Sequence, residues 1–183
     1  MINWRNTIAI FGIAFLFAGC KPDFTAEIRA VDSLLGVIGQ VESAAEQVDS
    51  RLIRQYIKDV NVKCTKIQDE NKDTLELLDA QRLVDFCSLE AHLQSCLERK
   101  ELIDVEVVET RNQLYNLRTD LVERVVEKDS VNRFIDSEFQ YVESLDEGVE
   151  RVVVELNVCF ETYSELKGDI DRLLIALPTK GVE

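Results

Sequence analysis

No proline interrupts the chain between Pro22 and Pro178, and over that span apolar side chains return at alternating steps of three and four. Proline removes a backbone donor and clashes with the preceding turn, so a long proline-free stretch with this spacing is written for α-helix. The first stripe is Phe24, Ile28, Val31, Leu35, Ile38, Val41, Ala45, Val48 and Leu52, with Asp23 placed to cap it. Gln68 to Asp73 carries no stripe residue, and Asp73 with Glu76 has the spacing of a capping box, which predicts a turn between helices. The second stripe takes Leu75, Leu78, Phe86, Leu89, Leu93 and Cys96, then Ile103, Val107, Leu114, Leu117, Leu121 and Val125. After a second polar break at Glu127–Ser130, which offers another N-cap, the third runs from Val142 through Leu145, Val149, Val152, Leu156, Cys159, Tyr163, Leu166, Ile170 and Leu173 to Leu177. Pro178 and Gly181 end it.

These stripes predict an all-α fold, an elongated antiparallel helical bundle with coiled-coil-like packing, built from about three long helices over residues 24–178 and followed by a short tail, 179–183. Helices of roughly fifty residues at about 1.5 Å each give a rod about 70 Å long. With 46% apolar and 31% charged residues, each helix can bury one stripe and solvate the rest. Such stripes also close by pairing two copies, which leaves homo-oligomerisation through coiled-coil contacts open at this stage. Gly36 and Gly39 either permit a close helix approach or only weaken the first helix. The alternating segment Ile103–Val107 and the β-branched run Arg151–Glu155 leave a small strand pair as an alternative.

Charge narrows the partners. The chain carries 21 basic and 35 acidic residues, a net charge of −14. A surface of this sign repels nucleic acid phosphates, and no Lys/Arg cluster with interleaved aromatics offsets it, so nucleic-acid binding is not expected.

The N-terminus is organised differently. Met1–Asn6 holds one basic side chain, Arg5, and Thr7–Phe17 is an unbroken apolar run that ends in Ala18-Gly19-Cys20. A membrane-spanning helix needs about 20 apolar residues; the shorter three-part layout matches a cleaved export signal over residues 1–19. Phe17-Ala18-Gly19-Cys20 resembles the lipobox of bacterial lipoproteins, with a large apolar residue at −3 (Phe17 where Leu is usual), small residues at −2 and −1, and the cysteine. The resemblance implies cleavage before Cys20, a thioether-linked diacylglycerol on its sulfur and acylation, as by palmitate, of the new amine. It also implies a membrane partner through the lipid, and, with Lys21 rather than Asp after the cysteine, the outer membrane. Residues 20–23 then form the lipidated tether.

Four further cysteines, Cys64, Cys87, Cys96 and Cys159, would stand in an oxidising compartment, where an even number invites pairing. Cys87 and Cys96 are nine residues apart on one predicted helix, about 13 Å along its axis and too far to bond. In an antiparallel hairpin turning at Lys128, Cys96 and Cys159 sit at equal height on inward positions, which makes Cys96–Cys159 the preferred bridge. Cys64–Cys87 follows by elimination and requires an irregular segment near Asp59–Thr65. Four buried free thiols are the alternative.

Little in the chain points to chemistry. His92, the single histidine, stands one turn before Cys96, so a metal or small-molecule site between helices near His92 and Cys96 can be drawn, without a CxxC or a second histidine to strengthen it. There is no GxSxG turn and no glycine-rich phosphate loop. Paired carboxylates such as Glu106/Glu109 and Asp169/Asp171 read as solvated helix faces, and the four tyrosines, Tyr56, Tyr115, Tyr141 and Tyr163, as packing residues. The expectation is a lipid-anchored, non-catalytic interaction or structural protein of the bacterial cell envelope, without cofactor, that meets an envelope protein partner.

Overall fold

The computed structural model describes residues 23–70 and 75–177. The expected export signal over residues 1–19 and the expected lipobox cysteine Cys20, together with Lys21, Pro22, the Asp73 half of the expected capping box, Pro178 and Gly181, lie outside the described residues. Helix α1 spans Thr25–Glu46, α2 Ser50–Glu70, α3 Leu77–Glu123 and α4 Lys128–Ala176. Helix takes up 92% of the described residues, with no strand among them. The strand alternative is therefore removed: Ile103–Val107 lies inside α3 and Arg151–Glu155 inside α4.

The two long helices form the spine. On α4, Val131, Ile135, Glu138, Val142, Leu145, Val149, Val152, Leu156 and Cys159 keep alternate steps of four and three, and all of them are buried or half-buried. On α3 the matching seam is Phe86, Leu89, Leu93, Cys96, Lys100, Ile103, Val107, Thr110, Leu114, Leu117 and Leu121. A stripe repeating every 3.5 residues keeps one line of contact along two helices only if they coil gently around each other. At the helix ends the seam lets go: Leu78 and Val125, both expected inward, are 61% and 66% exposed.

The first arm is not the single long helix its stripe predicts. The N–H groups of Gln47 and Val48 close back on the carbonyls of Ala44 and Ala45 at 3.2 and 3.1 Å, tightening the last turn of α1. Asp49 then caps α2, its carboxylate accepting hydrogen bonds from the N–H groups of Arg51 (2.8 Å) and Leu52 (3.3 Å). Those two backbone donors hold the Asp49 carboxyl below the usual carboxylate range. The restart turns the inward face by one residue, so Ile53 is 1% exposed whereas Leu52 is 41% exposed. The N-cap of α1 is Phe24, without a side-chain cap bond, and not Asp23 as its position suggests; Asp23 stands one residue earlier, where its carboxylate accepts from the Thr25 N–H and hydroxyl at 3.1 and 2.6 Å. A Cβ on Gly36 or Gly39 would meet nothing within 4 Å, so neither glycine serves a close approach.

Both halves of this arm run antiparallel to α3 in one continuous register. Arg118 pairs with Asp32 and Arg111 with Glu42, each at 2.6 Å; farther along, Arg54 pairs with Glu101, and the Asn61 amide donates to Glu90 at 2.8 Å. The Cys64–Cys87 disulfide, with Cα atoms 5.9 Å apart, lies on the same line. Helix α2 passes unbroken through Asp59–Thr65. The irregular segment expected there is absent: α2 continues to Glu70 and α3 begins only at Leu77, so Cys64 and Cys87 meet with both helices regular.

The α3–α4 turn reverses the chain through Arg124, which adopts a left-handed conformation (φ 59°, ψ 39°) while the Val125 N–H donates to the Asp120 carbonyl at 3.0 Å. Glycine normally fills this position because a Cβ crowds the following carbonyl there. Arg124→Gly should stabilise the fold by about 0.5–1 kcal/mol, the relief of the left-handed strain less the extra unfolded-chain entropy, read as a higher urea midpoint. Removing the cross-link with Cys64→Ser/Cys87→Ser should cost about 3 kcal/mol, because the closed loop of 23 residues' separation no longer restricts the unfolded chain; equilibrium urea unfolding of the double variant measures it.

Candidate functional site

Cys96 and Cys159 do not form the bridge that the sequence favours; both are buried free thiols. The reason is the height at which α4 passes Cys96. Helix α3 ends at Glu123 and α4 begins at Lys128, so the hairpin turns before Lys128 rather than at it. The α4 residue that meets Cys96 is then Glu155, one turn short of Cys159. The Cys96 thiol donates to Glu155 Oε2 at 3.7 Å and accepts from Arg99 Nη2 at 3.7 Å, inside the Arg99–Glu155 ion pair. Burial, with Cys159 and Glu155 adding negative charge, pushes the Cys96 thiol up to about 11, and burial also raises Cys159. These are protonated, unreactive thiols at neutral pH.

His92 is exposed and lines a cleft of about 440 Å³ with Asp85, Glu155 and Cys159, while Cys96, one turn on, is fully buried. No three His, Cys, Asp or Glu side chains converge as metal ligands among the described residues. The His92–Cys96 pairing thus gains no third donor from the fold.

Where α2 meets α4, an aromatic cluster carries a polar clamp. Tyr163 stacks edge-on against Tyr56 (centroids 4.5 Å apart) and lies 5.5 Å from Phe86, and Tyr56 lies 4.7 Å from Phe160. The Tyr163 hydroxyl donates to Asp59 Oδ2 at 2.5 Å, and Lys63 reaches Asp59 at 3.0 Å and Asp171 at 2.8 Å. Burial and then the Asp59 carboxylate push the Tyr163 hydroxyl well above its ordinary range. Lys63 is raised despite burial, because its hydrogen bonds to Asp171 and Asp59 outweigh desolvation. Tyr56 and Tyr163 are the packing residues that the spacing suggested; Tyr115 and Tyr141 are exposed instead.

Between the α1 C-terminus and this clamp the first arm stands off α4. The result is an open groove of about 760 Å³. Ile53, Val149 and Leu156 form its floor, and Ala44, Val48, Leu52, Val153, Val154 and Phe160 its apolar walls; Asp49, Asp146 and Glu150 bring three carboxylates, and Gln47 and Asn157 complete the lining. No Lys or Arg lines it. This groove is absent from the sequence reading because the stripe Ala45, Val48, Leu52 runs through the break without a change of step. The signal that marks it is Asp49-Ser50, an N-cap pair just ahead of a second stripe, Ile53, Val60, Cys64 and Ile67, whose phase does not continue the first.

Two polar groups sit in the seam without partners. Thr110 Oγ1 and Glu138 Oε2 are buried and make no hydrogen bond to any described residue. Desolvation alone raises the Glu138 carboxyl.

Compared with known proteins, the chain matches no family model, no curated protein and no solved structure.

Because the Glu138 carboxyl is raised in the folded state, its contribution to stability is greatest at acid pH and is lost as pH rises through the folded value. Glu138→Gln mimics the neutral acid. It should raise the urea midpoint at pH 7 and leave it unchanged at pH 4; an equal effect at both would mean that the charge is not what destabilises this position.

Proposed function

We propose that the protein is a lipid-anchored, non-catalytic helical interaction protein of a bacterial cell envelope, exported by residues 1–19 and held at the outer membrane by acylated Cys20. The observation that carries this reading is the resemblance of Phe17-Ala18-Gly19-Cys20 to a lipobox directly after an apolar run of export-signal length. Two or three acyl chains on one residue give stable anchoring where one is marginal. No helix among the described residues is long and apolar enough to cross a membrane.

The architecture fits this use. Helix α1 begins at Thr25, so a tether of a few residues ties Cys20 to the end of the bundle that also holds the α3–α4 turn; Asp23 lies within the electrostatic reach of Arg124 and Lys128 there. A helix of 47 residues carries the opposite end about 70 Å away. The protein partner is met along the rod, where the first arm leaves the α4 face uncovered.

Mass spectrometry of the N-terminal peptide from cells fed an alkyne fatty acid tests the anchor. The expected product begins at Cys20, carries diacylglycerol and amide-linked acyl masses, and disappears in Cys20→Ala. An N-terminus elsewhere, or an unmodified Cys20, would overturn the reading.

A further inference from the structure

The groove beside the α1–α2 break has the chemistry of a docking site, and we infer that its occupant is a basic amphipathic helix of the partner protein. This rests on the interaction reading above and specifies what that reading leaves open. Leu52 and Val153 on opposite walls are 41% and 38% exposed, and Val154 beside them is 54% exposed, over a floor that is already buried. An incoming apolar stripe would remove these side chains from water at about 25 cal/mol per Å².

Length favours a helix over a small amphiphile. The α4 wall runs from Asp146 to Phe160, about 21 Å at 1.5 Å per residue, or roughly four turns of a partner helix. Apolar anchors on one face of such a helix are what an open hydrophobic groove reads. The distal end is closed by the Tyr56–Phe160 contact, which fixes where the occupant stops.

Charge selects its sign. Asp49 stands on the first-arm wall and Asp146 and Glu150 on the α4 wall, so acids flank the apolar floor on both sides. Asp49 is engaged as the cap of α2, with Arg51 3.7 Å away. Asp146 and Glu150 have no ion-pair partner among the described residues, and as an i, i+4 pair of like charge they weaken their own helix. Lys or Arg on both flanks of an apolar stripe would relieve that repulsion and complement the net charge of −14.

The test uses the full chain in phosphatidylcholine nanodiscs, with empty nanodiscs as the blank. The probes are three labelled 18-residue peptides: an amphipathic Leu/Lys helix, its Leu/Glu counterpart, and a scrambled Leu/Lys sequence without an apolar face. Fluorescence anisotropy should show saturable binding of the amphipathic basic peptide above the blank, weakening with salt, and none of the other two. Asp146→Lys/Glu150→Lys, both exposed and unpaired positions, should weaken it about tenfold while circular dichroism stays unchanged. Basic peptide binding no better than the scrambled one, preferred binding of the acidic peptide, or unchanged affinity in the double variant would each overturn the assignment. Loss of the groove in this way would leave acylation of Cys20 standing, since that is read from a different part of the chain.

Discussion

Everything in this bundle depends on one seam, the line of contact between α3 and α4. Two helices of 47 and 49 residues bury a stripe each against one another, and the near-perfect alternation of three and four keeps that line continuous. Most helical stability in proteins comes from burying such a face rather than from intrinsic propensity. The seam also tolerates polar intruders at a cost. Lys100, Thr110 and Glu138 occupy inward positions; Lys100 extends its ammonium out to Asp104, as long charged side chains do, while the other two find no partner. A buried polar side chain in a seam position is a known way to favour one register over its neighbours, which is a use consistent with where these two lie.

The first arm is an addition to that spine. It follows α3 closely, held by the exposed pairs Arg118–Asp32 and Arg54–Glu101, worth at most about 1 kcal/mol each, by the part-buried Arg111–Glu42 pair, and by the Cys64–Cys87 bridge. It does not follow α4 in the same way. The break at Gln47–Asp49 lets the arm keep its register on α3 while standing off α4, until the Tyr56, Phe160 and Tyr163 cluster brings them together again. The groove is the geometric consequence of an arm whose two helices both pack on α3, whereas α1 alone packs extensively on α4 and α2 meets it chiefly at the aromatic cluster and its polar clamp.

Cysteine chemistry divides along the same lines. The bonded pair staples the added arm to the spine, next to the buried Val60, Ile67 and Phe86. The unbonded pair lies within the spine, where Cys96 is enclosed by the Arg99–Glu155 ion pair and packs as a small apolar residue would.

Much of this was legible in the sequence. Period alone determined an all-α antiparallel bundle, the approximate turns near residues 72 and 127, and the α4 seam from Val142 to Cys159, because burial of a stripe at 3.5-residue spacing admits few alternatives to helices packed side by side. It did not determine the first turns of that seam, at Val131, Ile135 and Glu138. The N-terminal pattern, read in residues 1–20, stands apart from the fold and is independent of it. Three things were decided only by tertiary structure. Cysteine pairing depended on the height at which helices pass, and a shift of the turn by a few residues exchanged Cys159 for Glu155 opposite Cys96. The α1–α2 break was hidden because Ala45, Val48 and Leu52 keep helical spacing across it; only packing on α3 shows that Ile53 turns inward instead of Leu52. The groove was invisible for the deeper reason that a stripe records which side chains seek burial, and not which neighbouring helix is present to bury them.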